Sequence, residues 1–108
     1  MQNLSATFAA LGDPTRFAIV EQLLKKGELS AGTLHEDATI SAPAFSRHLK
    51  VLREAGIIKQ RIDKQRRMYS ARPQAVQAIS AWTMSHKAFW QGSFDRLATM
   101  LDQESEKQ

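Results

Sequence analysis

A mainly α-helical domain carrying one small β-hairpin is the fold class that this 108-residue chain predicts, and three observations carry it. Apolar residues recur at steps of three and four through most of the chain, the period of a helix with one buried face. Between Gly56 and Pro73 the period changes to two, as in paired strands. Capping and stop residues separate these blocks where helices need to begin and end.

Leu4, Phe8 and Leu11 share one face of a short first helix that stops at Gly12. Asp13 can cap a second helix from Pro14 to about Lys26, because a proline at the first helical position loses no hydrogen bond. Phe17, Val20 and Leu24 form its apolar stripe, Ile19 and Leu23 widen it, and Gly27 supplies a left-handed stop. Ser30 is positioned to cap a third helix of about two turns, ending near Asp37 with Leu34 inward. Ala38, Thr39 and Ile40 make a turn, Ser41 caps a fourth helix with Pro43 in its first turn, and Gly56 closes it.

IIKQRI and RRMYSA follow as two strands around a basic tip, DKQR. From Gln74 to about Glu104 a single long helix is expected, because Ile79, Trp82, His86, Trp90, Phe94, Leu97 and Leu101 keep the helical step and no proline intervenes. Such a helix would be about 45 Å long. A domain this small cannot cover that stripe alone, so a second copy of the chain is the expected partner. The expected organisation is one domain over residues 1–104, with 105–108 as a frayed tail.

Charge narrows the function. Net charge is +4, yet the segment from Arg47 to Arg72 holds nine basic and two acidic residues, and the rest of the chain is net negative. A positive block of this kind is the footprint expected for a polyanion. There is no cysteine, hence no disulfide, no thiolate nucleophile and no sulfur metal site. No apolar run approaches the roughly 18 residues of a membrane span, and the N-terminus has no basic flank of a secretory signal, so a cytoplasmic location is expected.

Two short helices joined by a tight turn, then a basic hairpin, is the order of a winged helix-turn-helix, whose second helix enters the DNA major groove. In SAPAFSRHLKVLREAG, Phe45, Leu49 and Leu52 define a core face. Pro43, Arg47, Lys50 and Glu54 fall opposite it, with Ser46 and Arg53 on one flank and Ala44 and His48 on the other. Arg47 is the candidate for base reading, since a guanidinium pairs bidentately with guanine. Ser41, Ser46 and Lys50 suit phosphates or secondary contacts, and Arg53 borders them. His48 lies about 65° from the core direction, so packing and DNA contact are both open to it. Lys64, Gln65, Arg66 and Arg67 form a wing able to approach the minor groove.

The run ELSAGTLHEDATISAPAFSRHLKVLREAGII, together with LGDPTRFAIVEQLL, resembles the ArsR/SmtB-type family of winged helix-turn-helix regulators. The resemblance implies a homodimer built from the first and last helices, DNA binding through residues 30–72, and repression of a palindromic operator relieved by some signal. On that reading the dimer residues are Leu4, Phe8, Leu11, Trp82, Phe89, Trp90, Phe94, Leu97 and Leu101. Metal-sensing members carry cysteines where this chain has Ser30 and Gly32. A second metal site in the family pairs an aspartate with histidines on the last helix; here Met84 and Leu97 stand at those positions and His86 is alone. AWTMSHKAFWQGSFDRL resembles a metal-independent branch, so no metal and no cofactor are expected. An apolar effector bound among the aromatic residues of the last helix is left open, with dimer packing the preferred reading.

Ser46 and His48 share a helix but point apart, and no phosphate loop or carboxylate pair occurs, so no catalytic constellation is expected. The alternative to a DNA-binding regulator is a winged-helix module that binds an acidic protein.

Overall fold

The computed structural model describes residues 3–106. They form two compact units, one ending at Ala78 and one starting at Ile79. The elements run α1 (Leu4–Leu11), α2 (Pro14–Lys26), β1 (Leu29–Ser30), α3 (Ala31–His35), α4 (Ala42–Glu54), β2 (Ile58–Asp63), β3 (Arg66–Ala71), α5 (Pro73–Met84) and α6 (Lys87–Glu106).

Each helix of the first unit through α4 starts on a side-chain cap. Asn3, Asp13, Ser30 and Ser41 accept from the backbone N–H three residues on, at Ala6, Arg16, Thr33 and Ala44. These contacts satisfy donors that a helix leaves without an internal partner. Gly27 and Gly56, just past the ends of α2 and α4, take φ of 80° and 77°, values that side chains with Cβ rarely adopt. β2 and β3 pair antiparallel from Ile58↔Ala71 to Asp63↔Arg66, leaving only Lys64 and Gln65 in the turn. Lys64 sits at φ 59°, an uncommon conformation for a side chain with Cβ. β1, which the sequence reading missed because it has only two residues, pairs Leu29 with Tyr69 and Ser30 with Met68, giving the sheet order β1-β3-β2.

The core joins Ile19, Val20 and Leu23 of α2, Leu34 of α3, Phe45, Leu49 and Leu52 of α4, Ile57, Ile58, Tyr69 and Ala75. On α1 the buried residues are Thr7 and Ala10, and Phe8, expected at the dimer contact, is exposed. Thr7 is tolerated inside because its hydroxyl donates to the Asn3 carbonyl at 3.1 Å. Phe17 and Leu24 of α2 are likewise exposed, so the buried stripe is narrower than the apolar one. Along β2, Ile58 is buried and Ile62 is 61% exposed, because the strand continues past the core into the wing.

The long terminal helix is corrected to two helices that meet at Ser85 and His86. An unbroken helix would bond the Trp82 carbonyl to the His86 N–H. Instead the Ser85 hydroxyl donates to that carbonyl at 2.7 Å, His86 Nδ1 lies 2.9 Å from it, and the His86 N–H bonds the Thr83 carbonyl. Short polar side chains thus outcompete the backbone ladder. Of the expected frayed tail, Ser105 and Glu106 belong to α6, and residues 107–108 lie outside the described residues.

Leu52 is wholly buried, so Leu52→Ala is expected to lower unfolding free energy by roughly 2–5 kcal/mol. A urea denaturation midpoint indistinguishable from wild type would contradict this packing.

Candidate nucleic-acid interface

Ser41 places the start of α4, and burial of Phe45, Leu49 and Leu52 decides which side of it faces the core. Pro43, Ser46, Arg47, Lys50 and Arg53 are exposed as a result, along with the cap Ser41. Lys50 lies 4.0 Å from Glu54 one turn on, with both side chains about two thirds exposed, an arrangement that contributes little and leaves the ammonium available. No ion pair engages Arg47 or Arg53 among the described residues. The α3–α4 turn is braced by His35, whose Nε2 lies 2.8 Å from the Ile40 carbonyl and whose ring is 5.0 Å from that of Phe45.

His48 is turned away from this exposed face. Its side chain is 24% exposed, and its Nδ1 lies 3.1 Å from Arg16 Nη1 and 3.7 Å from Asp13 Oδ2. Nothing local marked Arg16 as its partner, since the two lie 32 positions apart.

In the wing, Lys64, Gln65, Arg66 and Arg67 are all exposed. Arg66 is 4.0 Å from Asp63. Arg61 behaves differently: Nε and Nη2 donate to the two carboxylate oxygens of Glu28 at 2.7 and 2.6 Å. This bidentate fork ties β2 to the segment before β1 and removes one arginine from the apparently free basic block. The hydrogen bonds from Arg61 hold the Glu28 carboxyl below its ordinary value, and the same contact raises Arg61. Asp13 is also lowered, chiefly by the Arg16 backbone N–H that it caps.

Of the residues expected at a dimer contact, Leu4 and Leu11 are half-buried and Phe8, Trp82, Phe89, Trp90, Phe94, Leu97 and Leu101 are exposed. No group of three or more His, Asp or Glu side chains suited to a metal occurs among the described residues. No helix among them is long and apolar enough to cross a membrane.

A capped helix pair with a tight turn, a basic outward face on the second helix and a basic two-stranded wing define a DNA-binding winged helix-turn-helix regulator. Comparison with known proteins agrees. A helix-turn-helix domain family matches residues 11–61. The HTH-type transcriptional regulator Rv2034 of Mycobacterium tuberculosis is 37% identical over 97 residues, covering 90% of this chain and 87% of that one. The transcriptional repressor SdpR of Bacillus subtilis is 34% identical over 82 residues, 76% of this chain and 90% of that one. Among solved structures, the ArsR family transcriptional regulator RHA00566 superposes with a TM-score of 0.75 at 26% identity, covering 82% of this chain and 96% of that one. The chain belongs to the ArsR/SmtB-type family of winged helix-turn-helix transcriptional regulators. It is a regulator of transcription and not an enzyme.

Because the Glu28 carboxyl is lowered, its contribution to stability is complete above the ordinary carboxylate range and is lost as pH falls through the folded value. Glu28→Gln is therefore expected to lower Tm near pH 7, with the gap to wild type closing below about pH 4. A gap that stays constant on acidification would show that the fork does not stabilise the fold.

Proposed function

We propose that the chain is a homodimeric, sequence-specific repressor that reads a palindromic operator with α4 in the major groove and the wing, residues 63–67, in the flanking minor groove. The division of α4 into a fully buried apolar stripe and an exposed basic face carries this reading, because a helix packed in that way turns its basic side outward. Arg47 reads a base, and Ser41, Pro43, Ser46, Lys50 and Arg53 line the groove or contact phosphates. Lys64, Gln65, Arg66 and Arg67 supply the wing contacts. Repression is the role named for the similar SdpR. Action in the cytoplasm, where operator DNA lies, and independence from metal complete the reading, with a small-molecule effector as the remaining open partner.

The dimer reading rests on apolar exposure. Phe89, Phe94, Leu97, Met100 and Leu101 are each more than half exposed, and Trp82 and Trp90 exceed 40%. So large an apolar surface marks an association site. Two copies would set the recognition helices on half-sites about 34 to 36 Å apart.

In gel-shift titrations Arg47→Ala is expected to reduce discrimination between operator and scrambled duplex by about ten- to hundredfold. Arg66→Ala should weaken both duplexes alike and reduce the slope of log affinity against log salt by about one. Equal losses on both duplexes for Arg47→Ala would assign it to phosphate, and failure to bind any duplex at about 50 mM salt would favour an acidic protein partner instead. For the dimer, Trp90→Asp should sediment as a monomer; an intact dimer would remove α6 from the interface.

A further inference from the structure

The start of α2 carries a side-chain cluster that direct DNA contact does not use. Arg16 Nε donates to the carbonyl of Ala10, in the last turn of α1, at 2.7 Å. Its Nη1 lies 3.1 Å from His48 Nδ1 on α4. Asp13, whose Oδ2 accepts the Arg16 backbone N–H at 3.1 Å, places the same oxygen 3.7 Å from that ring nitrogen. Three helices therefore meet at one guanidinium.

A guanidinium offers only donors. At 3.1 Å His48 Nδ1 has to accept, which leaves the proton of the neutral imidazole on Nε2. The contact also has a direction, which the apolar stripe beneath α4 lacks. Phe45, Leu49 and Leu52 hold the helix down, but apolar burial is non-directional and discriminates weakly between small rolls about the helix axis. A hydrogen bond from a charged donor discriminates strongly.

We propose that Arg16 is the positioning residue of the DNA-reading helix, fixing the roll of α4 through His48 and coupling it to α1 through Ala10. The proposal rests on the reading that α4 reads DNA. The groups facing His48 Nδ1 are the Arg16 guanidinium and the carboxylate of Asp13, the cap of α2, and α1 contributes the Ala10 carbonyl to Arg16.

The test uses the full chain and a duplex enriched by it from a random pool. The readout is the ratio of its affinities for the enriched and a scrambled duplex at fixed salt, which cancels the general effect of added charge. Arg16→Met is expected to lower this ratio about tenfold with little change on the scrambled duplex. His48→Leu should match it while keeping the Arg16–Ala10 bond, and so decides the matter if Arg16→Met does not fold. His48→Asn, whose amide oxygen can accept from Arg16 near the position of Nδ1, should recover most of the loss.

Ring ¹⁵N shifts of the DNA-free protein supply an independent readout. They should show His48 Nδ1 unprotonated at pH 8 in wild type and a mixture of tautomers in Arg16→Met. An unchanged ratio in both Arg16→Met and His48→Leu, or a neutral wild-type ring protonated on Nδ1, would overturn the proposal. If no duplex is enriched, the DNA reading fails and with it the role of Arg16 in reading DNA, whatever the ring nitrogens show.

Discussion

Burial of Phe45, Leu49 and Leu52 is the constraint on which the rest of the first unit depends. These side chains are 3%, 3% and 0% exposed, and they join α4 to the inward residues of α2, to Leu34 of α3 and to the start of β2. Because α4 has one such stripe, everything on its other side is committed to solvent or to a partner. The Ser41 cap and the left-handed Gly56 then fix where the helix begins and ends. Its charged face is thus a product of core packing, and a cavity beneath it would loosen the side chains proposed to contact DNA.

Electrostatics divides the basic block more finely than a count of residues does. Arg61 is committed to Glu28 by two short hydrogen bonds, which makes it a brace between β2 and the segment before β1. Lys50 and Arg66 have acidic neighbours only at 4.0 Å, too far to withdraw them from a phosphate. At the start of α2, Asp13 caps the helix and Arg16 is engaged by the Ala10 carbonyl and His48. Arg47, Lys50 and Arg53 on the outer face of α4 and Lys64, Arg66 and Arg67 at the end of the hairpin remain exposed, where the proposed groove contacts lie.

Local chemistry made much of this legible in the sequence. Asp13, Ser30 and Ser41 cap the helices they precede, Pro14 sits at the start of α2, and Gly27 and Gly56 have the positive φ that a helix stop requires. The buried stripe of α4 follows from its period. Long-range pairs were not legible: Arg16–His48 and Glu28–Arg61 span 32 and 33 positions, and a charged residue on an amphipathic helix carries no mark of its partner. Apolarity also misled at Phe17 and Leu24, because a hydrophobic side chain does not reveal whether its own chain or another covers it. The break between α5 and α6 was hidden for a different reason. The apolar period continues through His86, while the hydroxyl and imidazole next to the Trp82 carbonyl divert the ladder.

The unit beginning at Ile79 poses the opposite problem from α4. Among the described residues of α6 none is buried, and its aromatic and aliphatic side chains stand largely in solvent. Helix propensity alone makes a segment of this length marginal in water, since most helical stability in proteins comes from packing an apolar face. Phe94, Leu97 and Leu101 keep the three-and-four spacing of a packed helix, so the sequence is patterned for a surface that the chain's own described contacts do not supply. The proposed symmetric second copy would meet this need with no new sequence, because an isologous contact uses the same patch twice. On the proposed reading, dimerisation is part of how the terminal helix becomes stable.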